Sequence, residues 1–337
     1  MISEHYSPMD GASTEPFVSI KELNVEFHGG RQKVQAVNGV NLSLESGEVL
    51  GLLGESGSGK SVTLRALLRI LPPRRSTTTG SVMVDGRDVL AMSDAELTQY
   101  RGGLASMIFQ EPALALDPVY RVGDQIVECI VQHTKIGRKA ARARALELLE
   151  LVKIPSANTR LNAYPHEMSG GMLQRVMIAL ALSCSPKLLL ADEPTTALDA
   201  TVQIQILLLL REMQRKFGMT TIFVTHDVGV VAEISDRVAV MYAGTIVEEG
   251  PVSEVLGSPG HPYTQGLLES TVHGSMRGSR IQAIPGSPPD LANLPKGCPF
   301  APRCKYAEQR CTTEDPPVVK LAEDHLVKCV RPEMAPA

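Results

Sequence analysis

The sequence predicts an α/β fold built on a mostly parallel sheet, with a helical insertion and a small irregular, cysteine-rich C-terminal domain. Three observations carry this. Apolar runs of strand length alternate with helical patterns through most of the chain. Between Pro112 and about Pro165 the strand-like runs stop and helical spacing takes over. After Gly257 the composition turns to proline and cysteine without long periodic runs, which marks an appendage too small to be stable without docking or a metal staple.

Taken in order, Phe17 to Phe27 and Ala36 to Glu45 read as strands, rich in Val, Leu and Phe with rough alternation. Gly47 to Leu53 is a short apolar run bounded by glycine, fit for a buried parallel strand. It runs into a glycine-rich stretch and then a helix, Ser61 to Leu71, stopped by Pro72 and Pro73. Strand-like segments recur at Ser81 to Val84 and Ala105 to Phe109. In the helical region, Arg138 to Val152 has leucines at helical spacing and a basic first half (Arg138, Lys139, Arg142, Arg144), read as a solvated face. Strands resume at Lys187 to Ala191, Thr220 to Thr225 and Arg237 to Met241, between helices at Ala200 to Lys216 and Val228 to Glu233.

At 337 residues, 43% hydrophobic and 21% charged, the composition is that of a globular protein. A formal charge of −4 provides no basic field, so nucleic acid is not an expected partner. No apolar run approaches the ~18 residues a membrane-spanning helix needs. Met1 to Pro16 is polar, with no basic-then-apolar export signal, so disulfides are not expected. Cys129 and Cys184 sit in apolar helical stretches and read as core thiols.

Gly54, Glu55, Ser56, Gly57, Ser58, Gly59, Lys60 and Ser61 fit G-x-x-x-x-G-K-[ST] at every fixed position. Composition alone would produce this match in about one chain in a hundred of this length. It also lies between an apolar strand and a helix, as phosphate binding requires: glycines let backbone N–H groups turn inward, and the helix N-terminus adds positive potential. Lys60 would reach the β- and γ-phosphates and Ser61 would ligate Mg²⁺. The run Leu188 to Ala191 ends in Asp192, a carboxylate for Mg²⁺, and Glu193 follows, placed to act on the attacking water.

Met168-Ser169-Gly170-Gly171-Met172-Leu173-Gln174-Arg175, upstream of Asp192, resembles the signature motif of ABC ATPases, with Met168 where leucine is usual. Gln110 resembles that family's Q-loop glutamine, Ala197-Leu198-Asp199 its D-loop, His226 in Thr225-His226-Asp227 its switch histidine, and Phe27 the aromatic that stacks on adenine. The resemblance implies a P-loop ATPase fold with N-terminal antiparallel strands. It also implies ATP bound by Phe27, residues 54 to 61, Val62 and Gln110, and Mg²⁺ at Ser61, Gln110 and Asp192. Lys60, Glu193 and His226 become catalytic, while Ser169, Gly170, Gly171 and Gln174 serve the ATP of a partner.

Cys298, Cys304, Cys311 and Cys329 are spaced C-x5-C-x6-C-x17-C. Four thiolates suit an iron–sulfur cluster or zinc, although structural zinc favours tighter pairs. His261-Pro262-Tyr263-Thr264, Pro285-Gly286-Ser287-Pro288-Pro289 and these cysteines together resemble the C-terminal extension of oligopeptide and dipeptide importer ATPases, which implies a [4Fe–4S] cluster. The expected layout is a disordered leader at 1–15, an ATPase domain at 16–257 with a helical subdomain at about 112–180, and the extension at 258–337.

The function implied is ATP hydrolysis that powers peptide import. The chain would lie peripherally on the cytoplasmic face of the membrane, paired with a second, paralogous ATPase and docked on two permease subunits. An extracytoplasmic binding protein would feed the permease, and no nucleic acid would be involved. A soluble ABC ATPase acting on DNA or ribosomes, importers of nickel, glutathione or cationic peptides, and a redox-sensing tail are the other readings.

Overall fold

The computed structural model describes residues 15–28, 32–196, 198–270 and 283–332. All but the last residue of the expected leader falls outside them. Strands β1 (Val18–Phe27), β2 (Val34–Leu44), β4 (Ser76–Val84) and β5 (Arg87–Asp88) form an antiparallel sheet in the order β2-β1-β4-β5. The larger sheet contains β3 (Val49–Leu53), β6 (Ala105–Ile108), β7 (Leu188–Asp192), β8 (Thr220–Thr225), β9 (Arg237–Tyr242), β10 (Thr245–Pro251), β11 (Val318–Ala322) and β12 (His325–Lys328). Its order is β11-β12-β10-β9-β3-β8-β7-β6. The stretch from β9 to β6 is parallel, and β10, β12 and β11 extend it antiparallel.

Every residue of β3 and β7 is buried, which is why both read as unbroken apolar runs instead of alternating ones. Helix Lys60–Leu67 lies between the sheets, where Leu64 and Leu67 pack with Val18, Ile20, Leu52 and Leu190. The helical insertion forms a second core in which Ile126, Leu148, Val176 and Ile178 meet Leu209 and Met213. Arg138, Lys139 and Arg142 face solvent while Ala141, Ala145 and Leu148 of the same helix are buried, the solvated basic face expected. Cys129 and Cys184 differ from expectation: both are half-buried, and both sulfurs lie against the Ser183 hydroxyl, at 3.3 and 3.6 Å.

The tail is not a separate irregular unit. Its strands β12 and β11 add to the main sheet through β10, in the register Glu248↔Val327 and Glu249↔Leu326. β10 escaped the sequence reading because it carries two acids inside a strand, and both are buried. Glu249 pairs with Arg237, which also reaches Glu48 at 2.9 Å. Glu248 accepts from the N–H groups of Gly260 (2.6 Å) and His261 (3.0 Å) and meets His325 Nε2 at 2.7 Å. One buried carboxylate thereby joins β10, the His-Pro-Tyr turn and β12. Buried acids persist only when satisfied in this way.

His261 is 1% exposed, and its Nδ1 accepts the N–H of Tyr263 at 3.0 Å, capping helix Pro262–Glu269. Burial holds its pKa down at about 4 from an ordinary 6.5, against the opposing pull of the Glu248 carboxylate. The unfolded chain therefore takes up a proton near pH 6.5 that the folded chain refuses until about 4, so stability falls as the pH drops through that window. His261→Asn keeps a side-chain acceptor for the cap and removes this titration. Denaturant unfolding followed from pH 7 to 4 should show a shallower acid slope for the variant; parallel slopes would refute the assignment.

Candidate nucleotide-binding site

The phosphate loop leaves β3 between its neighbours β8 and β9 and enters helix Lys60–Leu67. Two glycines are required by space. A Cβ at Gly54 would stand 2.2 Å from the Met241 carbonyl oxygen, and one at Gly59 (φ 107°) 2.5 Å from that of Ala36. Lys60 is 4% exposed, and its ammonium donates to the carbonyls of Gly54 and Glu55, both at 2.8 Å, and to Ser58 Oγ at 3.3 Å. Burial lowers its pKa, opposed by the charges of Glu193, Asp192 and Glu55.

β7 delivers the acids. Asp192 is 1% exposed and accepts from Ser61 Oγ at 2.7 Å. Burial raises its carboxyl, and the Ser61 bond draws it back down. Two oxygens so placed at the mouth of a phosphate loop are a donor set suited to Mg²⁺, a hard cation that prefers few protein ligands plus phosphate. Gln110 lines the same cavity as Ser61, and its Nε2 donates to Glu193 Oε2 at 3.5 Å.

Glu193 turns out of the strand with φ at 43°, and its N–H donates to the Val224 carbonyl at 3.0 Å. That turn brings Oε2 to Thr196 Oγ1 (2.9 Å) and to His226 Nδ1 (3.3 Å). Thr196 was missed in the sequence, since its contact depends on this turn and no periodic signal marks it.

These parts surround one cavity of ≈ 880 Å³ lined by Phe27, residues 54 to 62, Gln110, Glu193 and His226. Its size is within the range of small-ligand sites. Leu267, Pro288 and Leu291 of the tail line it too, which sequence reasoning did not anticipate.

Residues 37–196 match the family model for ABC transporters, and residues 247–311 that for the oligopeptide/dipeptide transporter C-terminal region. The oligopeptide transport ATP-binding protein OppD of Bacillus subtilis (strain 168) is 49% identical over 313 residues, 92% of this chain and 87% of the relative. The chain belongs to the ABC transporter ATP-binding family. OppD of Escherichia coli (strain K12) is 45% identical with 96% of each chain covered, and the dipeptide transport protein DppD of Bacillus subtilis 46% with 94% of each. Among solved structures, the ATP-binding cassette MJ0796, a dimer bound to ADP and Pi, superposes with a TM-score of 0.63 at 30% identity, covering 70% of this chain and 98% of that one. An ABC ATPase hydrolyses ATP.

The ABC signature lies elsewhere on the molecule. Ser169 caps helix Gly170–Ala181, its Oγ accepting the Met172 N–H at 3.4 Å, and both Ser169 and Gly170 are exposed. Asp199 caps helix Ala200–Phe217 through Val202 N–H at 3.0 Å; Ala197 of the same loop lies outside the described residues. Gln174, read from the motif as serving a partner's ATP, differs from Ser169 and Gly170 in exposure. It is 2% exposed, turned into the helical core, and its Nε2 finds no partner among the described residues.

Cys298, Cys304, Cys311 and Cys329 line one cavity of ≈ 20 Å³. Burial pushes the Cys298 thiol up to about 11 and also raises Cys304 and Cys329. Convergence of the four was expected and is present, but the metal-holding arrangement expected with it is not. Among the described residues no three His, Cys, Asp or Glu side chains are grouped to hold a metal ion. The space takes about one water.

Lys60→Met should lower MgATP affinity at least about tenfold, the loss of charged hydrogen bonds to phosphate. Titration with a fluorescent ATP analogue reads it directly, and unchanged affinity would mean the nucleotide binds elsewhere.

Proposed function

We propose that this chain is the ATP-hydrolysing subunit of a peptide importer, working on the cytoplasmic face of a membrane. The observation that carries the reading is that the similarity to peptide-transport ATPases runs through the tail, and that this tail walls the nucleotide cavity. No helix among the described residues is long and apolar enough to cross a membrane, so two permease subunits would supply the path and an extracytoplasmic binding protein the cargo.

In this reading Lys60 releases the loop carbonyls and takes up the phosphates, which offset the cost of its burial. Ser61 and Asp192 would hold Mg²⁺, which when bound would supply charge neutralisation to the phosphates. Glu193, oriented by Thr196, accepts a proton from water as its oxygen bonds to the γ-phosphorus and ADP departs. His226 and Gln110 sit beside Glu193 and contact the γ-phosphate side. Ser169 and Gly170 do not line their own chain's cavity, which supports a head-to-tail pairing in which each signature completes the partner's site. A paralogous ATPase is the proposed partner.

The finer reading of the tail is that its four cysteines ligate a [4Fe–4S] cluster. The donor set fits, and the cation would favour thiolates that burial alone disfavours. The room, ≈ 20 Å³, does not fit. Anaerobic purification with iron and sulfide analysis decides this, and a metal-free active protein rules the cluster out.

Assembled with its permease in vesicles, the complex should accumulate a labelled peptide only with MgATP. Glu193→Gln should cut hydrolysis and uptake together by ~10²-fold or more while binding persists. ATP hydrolysis stimulated by another solute class, with peptides inert, would overturn peptide import and leave the ATPase intact.

A further inference from the structure

The second residue of the phosphate loop is an acid. Glu55 lines the cavity that receives a polyphosphate, and a carboxylate there repels the ligand. The counter-charge comes from the far end of the chain. Arg303 Nη1 and Nη2 donate to Glu55 Oε2 and Oε1 at 2.6 and 3.0 Å, a two-point pairing. The Arg303 side chain is 5% exposed. Its Nε donates to the Pro285 carbonyl at 2.8 Å and its Nη1 to Tyr242 Oη at 3.3 Å, and the guanidinium lies 5.8 and 5.9 Å from the ring centres of Tyr242 and Phe300.

Glu55 is held at two further points. Its N–H donates to Tyr263 Oη at 2.8 Å, and its carbonyl accepts from Lys60 at 2.8 Å. Two tail residues therefore grip the loop residue whose own carbonyl engages the phosphate-binding lysine. A plain anchor for the tail would be redundant here, because sheet pairing at β12 and the buried Glu248 already dock it. An anchor has no need of a carboxylate carried by the phosphate loop itself.

We propose that Arg303 is a positioning residue of the ATPase site: it neutralises Glu55 and holds that carboxylate against the tail, so that the phosphate loop's affinity for MgATP depends on a side chain of the C-terminal extension. Arg303 occupies the turn Ala301–Arg303 between Cys298 and Cys304, so the conformation of the cysteine segment sets where the guanidinium stands. The inference rests on the loop being the nucleotide site.

The test uses the full chain, Mg²⁺ and a fluorescent N-methylanthraniloyl ATP. Arg303→Met should weaken binding about tenfold or more, the effect of one uncompensated charge near the phosphates. Glu55→Gln should tighten binding, since it removes the repelling charge and leaves Arg303 in place, and adding it to Arg303→Met should recover the loss to within about threefold of the parent. In the assembled transporter the Arg303→Met defect should appear in KM for ATP, with kcat nearly kept. An Arg303→Met protein that binds like the parent, or a double variant as weak as Arg303→Met alone, overturns the proposal. If Arg303→Met does not fold, Glu55→Gln decides by itself, and a weakened Glu55→Gln sinks the idea. Lys60→Met separates the two failures: if it binds nucleotide normally, the site reading falls and takes this inference with it.

Discussion

The five residues Val49–Leu53 are buried on both faces and hydrogen-bonded along both edges, so the backbone leaving Leu53 is held in one place and one direction. The nucleotide cavity depends on that constraint. A loop hung from a rigid central strand can present its N–H groups to phosphate without first being ordered, and the helix that follows sets the end of the cradle. The neighbouring parallel strands bring their ends to the same edge. β7 carries Asp192 and Glu193 there, and β8 leads into His226. Three segments far apart in sequence thus share one cavity because parallel strands all finish on the same side.

Burial at this edge also sets the chemistry. Lys60 and Asp192 are almost wholly removed from water, and each is pushed toward its neutral form by that removal. Each is held meanwhile by internal partners, the lysine by loop carbonyls and the aspartate by Ser61. Phosphates and a cation would satisfy both groups better than the protein does by itself.

The tail extends this logic. It is too short of apolar residues for a core of its own, and it gains stability by prolonging the sheet at β10 and closing over a buried acid. In doing so it places Leu267, Pro288 and Leu291 on the cavity and Arg303 on the phosphate loop. The aromatic cluster of Tyr242, Tyr263 and Phe300, with ring centres 4.5 to 5.3 Å apart, is the joint between the two.

The sequence by itself determined the parallel strands, the phosphate loop, the acids at the end of β7 and the signature motif, because each is written in adjacent residues through period, glycine placement or a fixed run of residue types. β10 was not legible, since Glu248 and Glu249 break the apolar pattern and become tolerable only when His325, Arg237 and two backbone N–H groups reach them. Gln174 stands in the signature motif, and only the structure showed that its side chain is buried. Only the tertiary structure decided that Thr196 orients Glu193, that the tail shares the main sheet, and that Arg303 meets Glu55. Those contacts join residues with no local signal between them, and burial alone tells which charges must find each other.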